Sequence, residues 1–140
     1  MISVRARLPA LPGLLTLLAS IGCGESGPNL VEVSGVITLD GVPVPRLGVQ
    51  FSPTFEKASP AYGVTDADGR YKLLYSANRT GAMPGMYNVE VQPLEAQFDE
   101  AGNRVGPPSV KLPKKFLTPG ALTAEVRSED TTIHFELTSK

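Results

Sequence analysis

Tryptophan is absent from this 140-residue chain, and cysteine and histidine occur once each, as Cys23 and His134. A lone cysteine makes an intramolecular disulfide impossible, and one of each residue cannot supply the four ligands of a structural zinc site. The core must therefore be built from Val, Leu, Ile, Phe and Tyr. Charge of one sign is also missing: thirteen basic residues face fourteen acidic ones, with no basic stripe. Affinity for nucleic acid depends on clustered Lys and Arg, so no nucleic-acid partner is expected.

What the chain has in excess is punctuation. Fourteen glycines and thirteen prolines break up any long helix. The hydrophobic share of 41% nonetheless belongs to a globular chain rather than a disordered one. A domain of about 110 residues buries roughly two thirds of its unfolded surface and needs no staple.

Residues 1–22 have the parts of a signal peptide. Arg5 and Arg7 form a positive start, and Leu8 to Ile21 is apolar. That run is too short to span ~30 Å of hydrocarbon, and Pro9 and Pro12 interrupt it. Small residues Ala19, Ser20 and Gly22 then lead to Cys23. The run Ala19-Ser20-Ile21-Gly22-Cys23 resembles the lipobox of bacterial lipoproteins, with Ser20 where that motif prefers Leu. The resemblance implies cleavage before Cys23, acylation of its thiol and a membrane as partner, in the outer or the cytoplasmic membrane of the envelope. Two or three acyl chains suffice for stable anchoring where one does not. Residues 23–30 read as a flexible tether, which would hold the domain within roughly 20–25 Å of the bilayer. Loss of Arg5 and Arg7 leaves eleven basic against fourteen acidic side chains.

From Val31 the alternation has period two, and residues 31–140 are expected to form one domain. Val31 to Leu39 is a half-buried strand closed by the turn Asp40-Gly41. Pro43 and Pro45 are expected in an extended connection outside any ladder. Val49–Ser52 and Tyr62–Thr65 are the next strands. Asp66-Ala67-Asp68-Gly69 is a hairpin turn from which Arg70–Tyr75 returns, with Tyr71, Leu73 and Tyr75 on one face. Pro84-Gly85 turns the chain into Tyr87–Val91. Residues 93–121 read as a long loop pinned by Phe98 and Phe116. Leu122–Arg127 and Thr131–Leu137 are expected to pair across Ser128-Glu129-Asp130, with Ile133, Phe135 and Leu137 inward and His134 outward. The sum is an all-β, seven-stranded Greek-key sandwich of immunoglobulin-like character.

Three runs carry a resemblance. Ser34 to Pro45 followed by Val49-Gln50-Phe51, then Gly63 to Tyr71, then Pro84 to Val91, resemble in order the hallmarks of carboxypeptidase regulatory-like domains. The tail Leu112–Phe116 with Leu122–Val126 is similar to small bacterial lipoproteins carrying this domain alone. The resemblance implies a transthyretin-like sandwich used for binding, support or assembly, with no activity and no cofactor. Hydrolases of that fold carry several histidines and a Tyr-Arg-Gly-Ser ending; this chain ends Leu137-Thr138-Ser139-Lys140.

The candidate sites are few. Asp66-x-Asp68-Gly69 could begin a calcium loop, but position five is Arg70 and position twelve is Ala77. Turn capping by aspartate, with Gly69 at positive φ, accounts for the same residues. His134 has no nucleophile partner in a recognisable motif, so no enzyme is expected. Lys111, Lys114 and Lys115 form a basic cluster beside Phe116 that could contact an anionic surface. Tyr62, Tyr71, Tyr75 and Tyr87 could stack on a sugar or pack the core. Two functions follow: a structural or protein-binding envelope lipoprotein, or a carbohydrate-binding module at the cell surface.

Overall fold

The computed structural model describes residues 27–106, 108 and 110–140. The leader 1–22, Cys23 and the first residues of the tether lie outside the described residues. Of the tether's end, the Pro28 carbonyl accepts a hydrogen bond from the Arg79 guanidinium.

Alternating apolar residues make the long strands. β1 (Val33–Leu39) turns at Asp40-Gly41 into β2 (Val42–Pro43) and is followed by β3 (Leu47–Pro53) and β4 (Ala61–Val64). β5 (Arg70–Lys72), β6 (Leu74–Ser76) and β7 (Arg79–Thr80) are short; β8 (Gly85–Pro93) is the longest. β9 (Gln97–Phe98), β10 (Arg104–Val105) and a 3-10 turn at Lys114–Phe116 precede β11 (Leu122–Val126), β12 (Thr131–Thr132) and β13 (Phe135–Leu137).

These strands form an all-β sandwich. One sheet has the order β11-β8-β3-β4-β6-β7; the other is built around β1, flanked on one edge by β12 and β13 and on the other by β5 and β2. β3 lies beside β8 although four strands separate them in the chain, a Greek-key arrangement. The connection from β7 to β8 passes the start of β1, where Val31 bridges Ala82. First and last strands run parallel, Ile37 beside Phe135 and Leu39 beside Leu137.

The inward positions of both sheets meet around Phe51. Its ring lies 5.8 Å from Tyr87, 6.2 Å from Phe135 and 6.3 Å from Tyr71. With Ile37, Leu47, Leu73 and Val89 fully buried, this cluster supplies the core that tryptophan does not. Each such side chain contributes about 1.5–3 kcal/mol by leaving water.

Four expectations are corrected. Thr131–Leu137 does not pair with Leu122–Arg127: β11 joins β8, whereas β12 and β13 join β1 in the other sheet. Ser128-Glu129-Asp130 is thus part of a crossover between sheets, because apolar residues on both segments are needed on facing walls of the core. Arg70–Tyr75 does not return as one strand; β5 ladders with β1, and only Leu74 comes back to Tyr62 of β4. Pro43 sits in a ladder opposite Thr38, tolerated because β2 is an edge. Phe98 pins nothing: it is exposed on the small β9–β10 hairpin, while Phe116 does pack on the core and Leu112 is buried.

Candidate functional site

Asp66 organises the turn that opens the site. Its Oδ1 accepts the backbone N–H groups of Asp68 and Arg70, and Gly69 takes a φ of 72° beneath it. The Asp66 N–H donates to the Arg70 carbonyl at 2.9 Å, closing the base of a hairpin. The arms then separate. β4 stays with β3, β5 goes to β1, and contact as a ladder resumes only at Tyr62 and Leu74. Between these points lies a surface cleft of about 570 Å³.

The two arms approach closely at Gly63, where a Cβ would lie 2.9 Å from the Lys72 carbonyl oxygen. Ala61 and Gly63 are the inward residues of β4, so the larger Tyr62 and Val64 point outward. Tyr62 is 52% exposed, Val64 55% and Leu74 44%, and all three line the cleft. Arg70 and Lys72 line its other side. Lys72 pairs with Glu32 at 2.9 Å; among the described residues no carboxylate lies within ion-pair distance of the Arg70 guanidinium.

The other sequence candidates lie elsewhere. Asp68 offers no side-chain bond to the turn, and among the described residues no group of three His, Cys, Asp or Glu is placed to hold a metal. Asp40 and Gly41 have φ of 50° and 82°, a two-residue turn of the mirror type that matches strand twist. Pro84-Gly85 leads into β8, with Gly85 at a point where a Cβ would lie 2.3 Å from the Phe55 ring. Tyr71 and Tyr87 are buried and Tyr75 half-buried, leaving Tyr62 as the exposed tyrosine. Burial pushes the Tyr71 hydroxyl well above the usual phenol range and raises that of Tyr87.

His134 is outward, as expected, but not idle: its Nδ1 accepts the Val36 N–H at 3.0 Å. The parallel ladder lapses between Thr132 and Phe135, and the imidazole supplies the acceptor that β1 needs there. Lys115 is likewise engaged. Its Nζ donates to the Lys140 carbonyl and sits 4.9 Å above the Phe116 ring, so the basic cluster reduces to the exposed Lys111 and Lys114.

No protein-family model matches the chain, and no curated protein matches it. Among solved structures it is similar to BcpA, the major pilin subunit of Bacillus cereus, at 11% identity and a TM-score of 0.47, covering 81% of this chain and 31% of that one. It is similar also to a DUF3823 family protein from Parabacteroides merdae, at 14% identity and a TM-score of 0.43, covering 79% and 46%. The chain thus spans less than half the length of either. The β-sandwich assignment rests on the strand pairing itself.

Sequence reasoning missed Val64, Leu74 and Arg70 as a group. The signal was the alternation Ala61-Tyr62-Gly63-Val64, in which the smaller residues take one face and the larger ones the other. Which face is buried depends on Leu73, whose side chain lies 3.5 Å from where a Gly63 Cβ would be.

Proposed function

We propose that this chain is a non-enzymatic β-sandwich module of the carboxypeptidase regulatory-like type, exported, held at the bacterial cell envelope by acyl chains on Cys23, and docking a protein partner. The observation that carries the reading is the trio Tyr62, Val64 and Leu74. They are exposed on the outer face of a sheet whose other strands point Asn88, Glu90, Gln92, Thr123 and Glu125 outward, together with Met86 at the start of β8. An apolar group in such surroundings is the mark of an interaction site. The Val31–Ala82 bridge puts the start of the described sandwich at the end opposite Asp40-Gly41 and Asp66–Gly69. Carbohydrate binding has less support: Tyr62 is flanked by aliphatic side chains rather than by a second exposed ring.

The deciding experiment is a pull-down from membranes with and without soluble glycans. A protein retained in both conditions is the expected result; release by glycan would transfer the reading to the carbohydrate alternative. Cys23→Ser should move the protein to the soluble fraction and abolish labelling by a fatty-acid analogue, and label retained on the variant would remove the anchor from the proposal.

A further inference from the structure

Resting on the protein-docking reading, we infer that the cleft takes a short, extended, acidic peptide segment, its apolar side chains on Tyr62, Val64 and Leu74 and a carboxylate on Arg70. Size decides against a second folded copy. Three half-exposed side chains offer on the order of 300 Å², against the ~800 Å² per partner of a stable protein interface. The cleft runs along the strands from the Tyr62–Leu74 pair to the Asp66–Arg70 pair. At ~3.3 Å per residue that is the length of about four extended residues.

Charge decides the chemistry of the segment. Of the two cations beside the cleft, Lys72 is engaged by Glu32, while among the described residues no carboxylate pairs with the Arg70 guanidinium, whose planar fork of donors can meet an incoming group. That fork matches a carboxylate in a bidentate pair. Asp66 lines the same end of the cleft, with one carboxylate oxygen accepting the backbone N–H groups of Asp68 and Arg70, and among the described residues it forms no ion pair with the Arg70 guanidinium. Tyrosine and arginine around an aliphatic floor are the residue types that dominate binding hot spots. An aromatic platform for sugar would need rings where Val64 and Leu74 stand.

Two pools of fluorescent pentapeptides test this on the full-length protein in detergent, both Leu- and Val-rich, one with central aspartate and one with central lysine. The acidic pool should bind at least tenfold more tightly, and Arg70→Glu should abolish or reverse the preference. Val64→Glu should lose binding of both pools. Each of these residues is exposed, and an unchanged melting temperature certifies that the variant is folded. Equal affinity for the two pools, indifference to Arg70→Glu, or displacement of the acidic pool by oligogalacturonate would each overturn the inference, the last in favour of an anionic glycan. If the membrane pull-down retains a protein equally well with Arg70→Glu, protein docking stands and the acidic-peptide assignment falls. If neither a protein nor a peptide is retained, both fall.

Discussion

The Tyr71 hydroxyl donates to the Ile133 carbonyl at 2.7 Å, reaching across β1 at Gly35, where a Cβ would lie only 1.7 Å from that same oxygen. Gly35 is the ladder partner of Tyr71, so the ring crosses its own neighbour to tie down the strand beyond. This turns the Ile133 carbonyl inward. The Val36 N–H is met by the His134 imidazole instead. One missing side chain, one phenol and one imidazole together hold the carboxy-terminal segment against β1.

Tyr71→Phe removes the hydroxyl and keeps the ring. It should destabilise by about 1–2 kcal/mol, the usual consequence of leaving a buried carbonyl without its donor. Gly35→Ala should be far worse, since its methyl meets backbone rather than a flexible side chain. Thermal melts rank the two, and amide exchange should show residues 131–137 losing protection first. Equal protection in Gly35→Ala and wild type would refute the tie.

At Gly69 the φ of 72° and an Ile37 carbonyl 2.7 Å from a would-be Cβ act together. The left-handed conformation alone costs a side-chain-bearing residue roughly 1–2 kcal/mol. Gly69→Val should therefore lower the melting temperature by several degrees or more. Asp66→Ala, which orphans two N–H groups, should also destabilise. Asp68→Asn should change little, and damage from it would reopen the question of a ligand at that carboxylate.

Acid sensitivity has a predicted onset. The Asp40 carboxyl is held below its ordinary range by hydrogen bonds from the Ser139 side chain and backbone, and that of Asp99 by the Asn103, Ala101 and Gly102 backbones and the Asn103 side chain. A carboxyl depressed in the fold stabilises while it is ionised, above its unfolded value of about 3.9. That contribution is lost as pH falls through the lower folded value. Melting temperature should begin to drop below about pH 4, and less steeply in the Asp40→Asn, Asp99→Asn double variant. Identical slopes would exclude these two carboxylates as the cause.

Phe51 contacts three other aromatic rings in a core without tryptophan. Phe51→Ala should cost about 3–5 kcal/mol through lost burial and the cavity left behind. Urea titration with an unchanged m-value would show that stability alone was altered.

The turns were legible because their chemistry is local. Asp40-Gly41 and Asp66–Gly69 adopt the conformations their residues favour, and the same logic covers a turn that was read only as loop. Asp99 Oδ1 accepts the N–H groups of Ala101 and Asn103, as Asp66 does for Asp68 and Arg70, and Gly102 takes a φ of 82°. The spacing Asp-x-x-Gly was present twice, but the second copy lacked flanking alternation strong enough to announce a hairpin.

Period-two alternation determined most of the strands by itself, since burying one face of a strand needs no knowledge of its partner. It determined equally that the domain is all-β, because glycine and proline leave no room for helices. Partner choice was another matter. Whether Thr131–Leu137 pairs with its sequence neighbour or with β1 depends on which arrangement puts Phe135 and Leu137 against Phe51, and only the packed sandwich decides that. The cleft belongs to the same class: Tyr62, Val64, Leu74 and Arg70 become one surface because β4 and β5 commit to different sheets. That divergence goes with the burial of Leu73 against Gly63 and of Tyr71 against Gly35, a competition for interior volume that no local pattern of residues records.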